Sequence, residues 1–329
     1  MTRCLLHEER KMNEIGRKIT DKLIELHGSK DFTIAFLPYK RSMWNSMESV
    51  YEECRASGID AHCYPIPYIR MKENKEPDYI DTDYDLFGKI AEPIETLTDP
   101  DYIAIHYQYE DHNKVTNMLP EYFTKALKDR YHCKIVFLPY GIYGGQMRYS
   151  LQPGCRHVDY AFLESADAVS LFISGWQTQG VDFTGRVFSF GSPKLDAMGK
   201  LKRKIPEEWE DIIGNSSVTL ICNSLGPFLT EPFRHLTMYH QHICEEIREG
   251  RAVIFRPHPL LRTTMKSMMP GMEQDYDAFI AWAHKQEGVI VDESEYLERA
   301  FGIADRMISD VSSVIPMWQM TGKPLEVMG

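Results

Sequence analysis

The side chains with the most chemical promise stand directly behind short apolar runs. Arg256-Pro-His258-Pro follows Ala252-Val-Ile-Phe255, and a guanidinium and an imidazole there are placed to meet phosphate. The two prolines hold that loop extended, and Arg262 lies just beyond it. Ile308-Ser309-Asp310-Val-Ser312-Ser313 ends a second run and opens a helix, where unpaired N–H groups, the helix dipole and two hydroxyls suit a diphosphate. Gly191-Ser-Pro-Lys194-Leu-Asp196 follows a third run, its glycine allowing close backbone approach and its lysine offering a cation. Past a fourth, Ile105-His106-Tyr-Gln-Tyr-Glu-Asp111-His112-Asn113 gathers groups able to orient an acceptor and take its proton. Each peptide has a plainer counterpart: a helix cap for Ser312 and Ser313, a solvated loop for Arg256 and His258, an interdomain turn for Gly191–Asp196, and a wet loop with buried tyrosines for His106–Asn113.

The elements that must position these groups alternate. Ile15, Ile19, Leu23 and Leu26 recur at helical spacing over residues 13–28, with Gly28 as the stop. Phe32–Tyr39, Ile59–Ile66, Asp101–Ile105 and Cys133–Tyr140 read as strands, and the near-continuous apolar runs among them suit burial on both faces of a parallel sheet. Between the first two, Met43–Ser57 has a helical pattern with Ser42 as N-cap and Gly58 at its end. The peptide Phe-Leu-Pro-Tyr occurs at Phe36 and again at Phe137, each proline stopping a ladder. Ligands bind beyond the carboxyl ends of such strands, so Lys40, Arg41 and Ser42 should face one crevice with Gly141–Gly145. Ala168–Ile173 and Arg186–Phe190 are further short apolar runs. A second series follows the basic stretch Lys200–Lys204, itself read as a solvated linker: strands Val218–Cys222, Ala252–Phe255, Val289–Val291, Met307–Ser309 and Leu325–Val327, with a helix over Met238–Glu249. The expected fold class is α/β, two Rossmann-like domains facing a cleft, residues 1–198 and 199–329.

Composition narrows the function. The 37 Lys+Arg against 48 Asp+Glu give a formal charge of −11, which argues against a general nucleic-acid binder. The seven cysteines are scattered without a CxxC pair, so reduced thiols are expected rather than a disulfide framework or zinc knuckle. No apolar run reaches the roughly 18–20 residues that span a bilayer. The spacing of His106, Asp111 and His112 matches no known metal pair, so no metal is expected to be tightly bound.

Taken in order, these peptides resemble the CDP-glycerol glycerophosphotransferase family, which builds teichoic-acid-like polyol phosphate chains. Lys40-Arg-Ser-Met-Trp44-Asn-Ser-Met-Glu-Ser-Val50 is similar to a KxSMWDSLESV-type loop and helix of one bacterial branch. Gly191–Asp196 matches a G-[SY]-P-[KR]-x-D turn, Arg256–Pro259 an RpHp loop, and Ser309–Ser313 with Lys323-Pro324 an SDxSS…KP segment. The resemblance runs from about Thr33 to Val327. It implies a GT-B fold whose second domain binds CDP-glycerol through His258, Ser309, Asp310, Ser312 and Ser313, with Lys194 and Arg256 as lesser contributors. Lys40, Ser42, Trp44 and Asn113 would lie on the acceptor side. An acceptor hydroxyl on a lipid-linked or polyol phosphate partner would attack the phosphorus attached to glycerol, and CMP would leave. No cofactor is implied beyond Mg²⁺ arriving with the diphosphate. The chain would work in the cytoplasm, with room for peripheral contact at the inner face of the membrane.

Two departures stand out. The family's polymerases carry a Trp-His-Gly-Thr-type loop whose histidine is their base, and Leu138–Gly145 has none, so either the role passes to His106 and then Asp111 or the base is absent. The sequence also stops two residues after Leu325–Val327, where GT-B proteins continue into a helix, which implies a shortened or partial chain. A same-fold glycosyltransferase using a nucleotide sugar and a non-catalytic nucleotide-binding relative are the alternatives.

Overall fold

The computed structural model describes residues 13–328, except 73, 114, 143–150, 260, 270, 295 and 313. The chain divides into two compact units, Met1–Ala197 and Met198–Gly329.

The first unit opens with a helix, Glu14–His27, closed by Gly28 at φ 93° and burying Ile19 and Leu23. Its first turn touches helix Glu48–Ala56 so closely that a Cβ on Gly16 would lie 2.5 Å from the Ser49 carbonyl oxygen. The free N–H groups of that turn are taken by Asp196, whose carboxylate accepts from Ile15 at 3.1 Å and Gly16 at 2.8 Å. Gly191, at φ 95°, starts the bend that leads into helix Pro193–Gly199 and brings Asp196 there. Asp196→Ala should therefore lower stability by about 1–2 kcal/mol, read as a shift in the urea midpoint of unfolding.

Among the described residues of the unit nine strands follow: β1 Thr33–Phe36, β2 Asp60–Cys63, β3 Tyr68–Met71, β4 Pro77–Asp81, β5 Tyr102–Ile105, β6 Thr116–Met118, β7 Lys134–Phe137, β8 Tyr160–Leu163 and β9 Val187–Ser189. Six pair in parallel in the order β2-β1-β5-β7-β8-β9. Residues 34–36, 102–105 and 135–137 are all buried, as a sheet covered on both faces requires. Both Phe-Leu-Pro-Tyr copies end a strand of this sheet, at Phe36 and Phe137. The order reverses at β1, which has β2 on one side and β5 on the other.

Three features depart from the sequence reading. Ser42 does not cap a helix; it lies inside a 3₁₀ helix, Arg41–Ser46, that precedes Glu48–Ala56. Ala168–Ile173 belongs to helix Ala166–Gln177, capped by Ser165, whose hydroxyl accepts the Ala168 N–H. Its buried side includes Phe172 and Trp176, a spacing of four that fits a helix face. Strands β3, β4 and β6 form an antiparallel sheet in the order β4-β3-β6, which polar segments such as Pro77-Asp-Tyr-Ile-Asp81 did not announce.

The second unit contains β10 Val218–Cys222, β11 Ala252–Arg256, β12 Val289–Val291, β13 Arg306–Ser309 and β14 Leu325–Val327. They pair in parallel in the order β12-β11-β10-β13-β14, and every residue of β10 and β11 is buried. Helix Pro232–Arg248 packs Tyr239 and Ile243 into a core with Ile221, Phe228, Phe255 and Phe279. In the basic stretch, Arg203 is committed: it donates to the Ile303 carbonyl at 2.7 Å and pairs with Asp305 at 3.0 Å. Among the described residues no helix is long and apolar enough to cross a membrane.

Candidate functional site

The five-stranded sheet reverses its order at β10, between β11 and β13, and in open α/β sheets ligands settle beyond the carboxyl ends of the strands at that reversal. Cys222 of β10 is in register with Arg256 of β11 and with Ser309 of β13. The next residues of all three strands therefore emerge side by side, and they include most of the expected donor set.

Asp310 is buried at 2% exposure. Its Oδ2 accepts the Ser224 N–H at 2.9 Å and the Tyr239 hydroxyl at 2.8 Å, while Oδ1 has no hydrogen-bond partner among the described residues. The Tyr239 phenol is pushed well above its usual range by burial and by this carboxylate. Ser309 donates its hydroxyl to the Asp310 carbonyl at 2.9 Å and lies 3.3 Å from the Ser312 hydroxyl. Ser313 lies outside the described residues. Helix Val314–Gln319 is six residues long, too short for much dipole at its start. His258 comes from the β11 loop, its N–H bonded to Asn223 Oδ1 at 2.6 Å. Burial lowers the His258 pKa, and the nearby Asp310 charge only partly opposes this. Ser309, Asp310, Ser312 and His258 are thus brought together.

Arg256 is not in that group. It is the last residue of β11 rather than the first of the loop, and it is 8% exposed. Its guanidinium bonds Asp292 Oδ2 at 2.5 Å and the Ser294 carbonyl at 2.5 Å, and Asp292 is also met by Arg299 at 3.3 Å. A guanidinium engaged in this way holds the β11 and β12 ends together and has little left for phosphate. Lys323 of the Lys-Pro motif is likewise structural: its ammonium donates to the carbonyls of Phe301, Gly302 and Ala304, at the end of helix Leu297–Ile303.

In the first unit the reversal at β1 places the segments after β1 and β5 side by side. His106 lies there with no exposed surface. Its Nε2 accepts the Tyr39 N–H at 2.9 Å, so Nδ1 carries the proton, which faces the Met43 carbonyl at 3.2 Å and the Ser46 hydroxyl at 3.1 Å. Burial drives its pKa down to about 3, the Met43 bond opposing and the Lys194 charge adding to the fall. Both nitrogens are used inside the fold, so the expected general base is instead a tie between the β1 and β5 loops. Lys194 comes close enough for its charge to be felt by His106, and it stands in helix Pro193–Gly199. Lys40 is buried, with its ammonium 5.3 Å over the Tyr68 ring. Trp44, expected on the acceptor side, is a core residue at 1% exposure, edge-on to Phe36, Tyr51 and Phe87. Asp111 is exposed and pairs with His112 at 2.6 Å. Asn113 shapes its own turn, its Oδ1 accepting the Val115 N–H and its N–H donating to Asn117 Oδ1. Of the loop Gly141–Gly145 expected opposite Lys40, residues 143–145 lie outside the described residues.

Asn223, Ser224 and Tyr239 were missed by the sequence reading. The carboxyl-end rule, applied to Val218–Cys222 as it was to the other strands, singles out the first two; Tyr239 gives no such signal from mid-helix. Among the described residues no group of three or more His, Cys, Asp or Glu could hold a metal ion.

No protein-family model matches the chain, and no curated protein matches it. Solved structures do. A putative UDP-N-acetylglucosamine 2-epimerase from Listeria monocytogenes superposes with a TM-score of 0.54 at 11% identity, covering 90% of this chain and 79% of that one. The UDP-GlcNAc 2-epimerase of Methanocaldococcus jannaschii, solved with UDP-GlcNAc and UDP, gives 0.54 at 10% identity, covering 90% and 83%. The wall teichoic acid polymerase TagF reaches 0.44 at 13% identity over 98% and 77%, a likeness too loose to weigh. At such identities what is shared is architecture: the chain has a GT-B-like α/β fold built from two parallel-sheet units.

Proposed function

We propose that the chain is a transferase that moves glycerol phosphate, or a related polyol phosphate, from a CDP-linked donor to an acceptor hydroxyl. The observation that supports this reading most is the meeting of His258, Ser309, Asp310 and Ser312 where the second sheet reverses its order. These are residues of the two motifs, RpHp and SDxSS, on which the family resemblance rests. The Ser312 hydroxyl offers a hydrogen bond to a diphosphate, with the buried Ser309 hydroxyl 3.3 Å behind it, and His258 gains a proton more readily once that negative charge is beside it. The acceptor hydroxyl gives its proton to a base as its oxygen bonds to the phosphorus bearing glycerol, the bond from that phosphorus to the CMP oxygen breaks, and CMP leaves as the anion. Fixed donors act on the charge that shifts during this displacement. Of the two candidate bases, Asp111 is the one whose titrating group is exposed.

The test is release of CMP from CDP-glycerol with a polyol phosphate acceptor, run beside UDP release from UDP-GlcNAc. CMP release that depends on acceptor supports the proposal. UDP release alone points to the glycosyltransferase reading, and tight CDP binding without turnover points to a binding protein. Ser312→Ala is expected to weaken CDP binding about five- to tenfold while leaving the melting temperature within about 2 °C, as loss of one half-buried hydrogen-bonding hydroxyl should. Calorimetric titration checks it; unchanged affinity removes Ser312 from the site.

A further inference from the structure

The end of β10 holds a side chain that neither the motifs nor the proposed transfer has used. Asn223 is 5% exposed and follows Cys222 directly. Its Oδ1 accepts the His258 N–H at 2.6 Å, and the N–H of the next residue, Ser224, donates to Asp310 at 2.9 Å. Two consecutive residues thus grip the loops of both flanking strands, one to each side. The sequence makes the first grip unusually specific. Pro257 and Pro259 have no N–H, so His258 supplies the single backbone donor of the tripeptide Pro257-His258-Pro259. Asn223 Nδ2 has no hydrogen-bond partner among the described residues, so the bond to His258 sets which way the amide faces.

We infer that Asn223 is a positioning residue of the donor site: by accepting that one N–H it fixes where the His258 imidazole stands beside Asp310. His258 meets the ligand and Asn223 acts through it. The inference rests on the donor-site reading above, yet it has consequences in the ligand-free chain as well.

Three measurements decide it. In the wild-type chain, hydrogen exchange should show the His258 amide protected although it lies in a loop; exchange at the rate of an open peptide overturns the inference. In Asn223→Ala the imidazole Cε1–H resonance of His258, assigned through His258→Ala, should move while those of His106 and His62 stay; an unmoved resonance overturns it. With CDP as the probe, Asn223→Ala and His258→Ala should each lose about tenfold in affinity, and the double variant should lose no more than the larger single loss. Losses that multiply would mean Asn223 acts independently of His258, against the inference. If wild-type chain binds no CDP, the donor-site reading fails, while the exchange and resonance measurements still test the positioning itself.

Discussion

His106→Ala should destabilise the first unit by about 3–4 kcal/mol, making it one of the most damaging single changes in the chain. The imidazole fills space at zero exposure, and its removal strands the Tyr39 N–H and leaves the Met43 carbonyl with only the Ser46 hydroxyl, at 2.8 Å, among the described residues. The same histidine contributes to the acid limb of stability. Its folded pKa of about 3 lies far below the usual 6.5, so below pH 6.5 the unfolded chain binds a proton that the folded chain refuses. Stability is therefore lost as pH falls from 6.5 towards 3, by about 1.4 kcal/mol per pH unit from this group alone. Urea unfolding followed by tryptophan fluorescence at pH 7 and pH 5 tests both statements. Wild type should lose about 2 kcal/mol between them from this source, and His106→Gln should lose that much less. Equal acid slopes in the two proteins would refute the account. A variant that folds normally and loses only transfer activity would restore His106 as a base.

Arg256→Met should cost the second unit about 3–5 kcal/mol, because it leaves Asp292 buried at 1% side-chain exposure with, among the described residues, only the more distant Arg299 as a counter-charge. Asp292→Leu in the same background should return most of that loss, since replacing a buried pair by apolar side chains is close to neutral. Arg256→Lys should not rescue, because one ammonium cannot meet Asp292 and the Ser294 carbonyl in the guanidinium's two directions. Thermal unfolding of the four proteins measures this. If Arg256→Met is as stable as wild type but binds CDP more weakly, Arg256 returns to the donor site.

His106 and Arg256 teach the same lesson about motifs. Each stands where a strand meets its loop, and a shift of one residue decides between ligand and fold. Arg256 was read as the first loop residue, yet β11 runs on through it, and its side chain turns to the neighbouring strand end at Asp292. Trp44 and Lys323 were visible as motif residues too. Whether a tryptophan faces an acceptor or the Phe36 and Phe87 rings, and whether a lysine meets phosphate or three carbonyls, is not encoded in neighbouring residues.

What the sequence determined by itself was the alternation of buried strands and amphipathic helices, and with it the parallel α/β character of both units. Those follow from periodicity and from apolar runs such as Val218–Cys222, which are properties of local stretches. The sequence also set which strands lead into the peptides carrying His258, Ser309 and Ser312. Tertiary structure decided the rest: that β10 lies between β11 and β13, so that those three residues meet, and that His106 and Arg256 are sealed inside. Strand order and burial depend on contacts between residues far apart in the chain, whose free energy no short stretch of sequence contains.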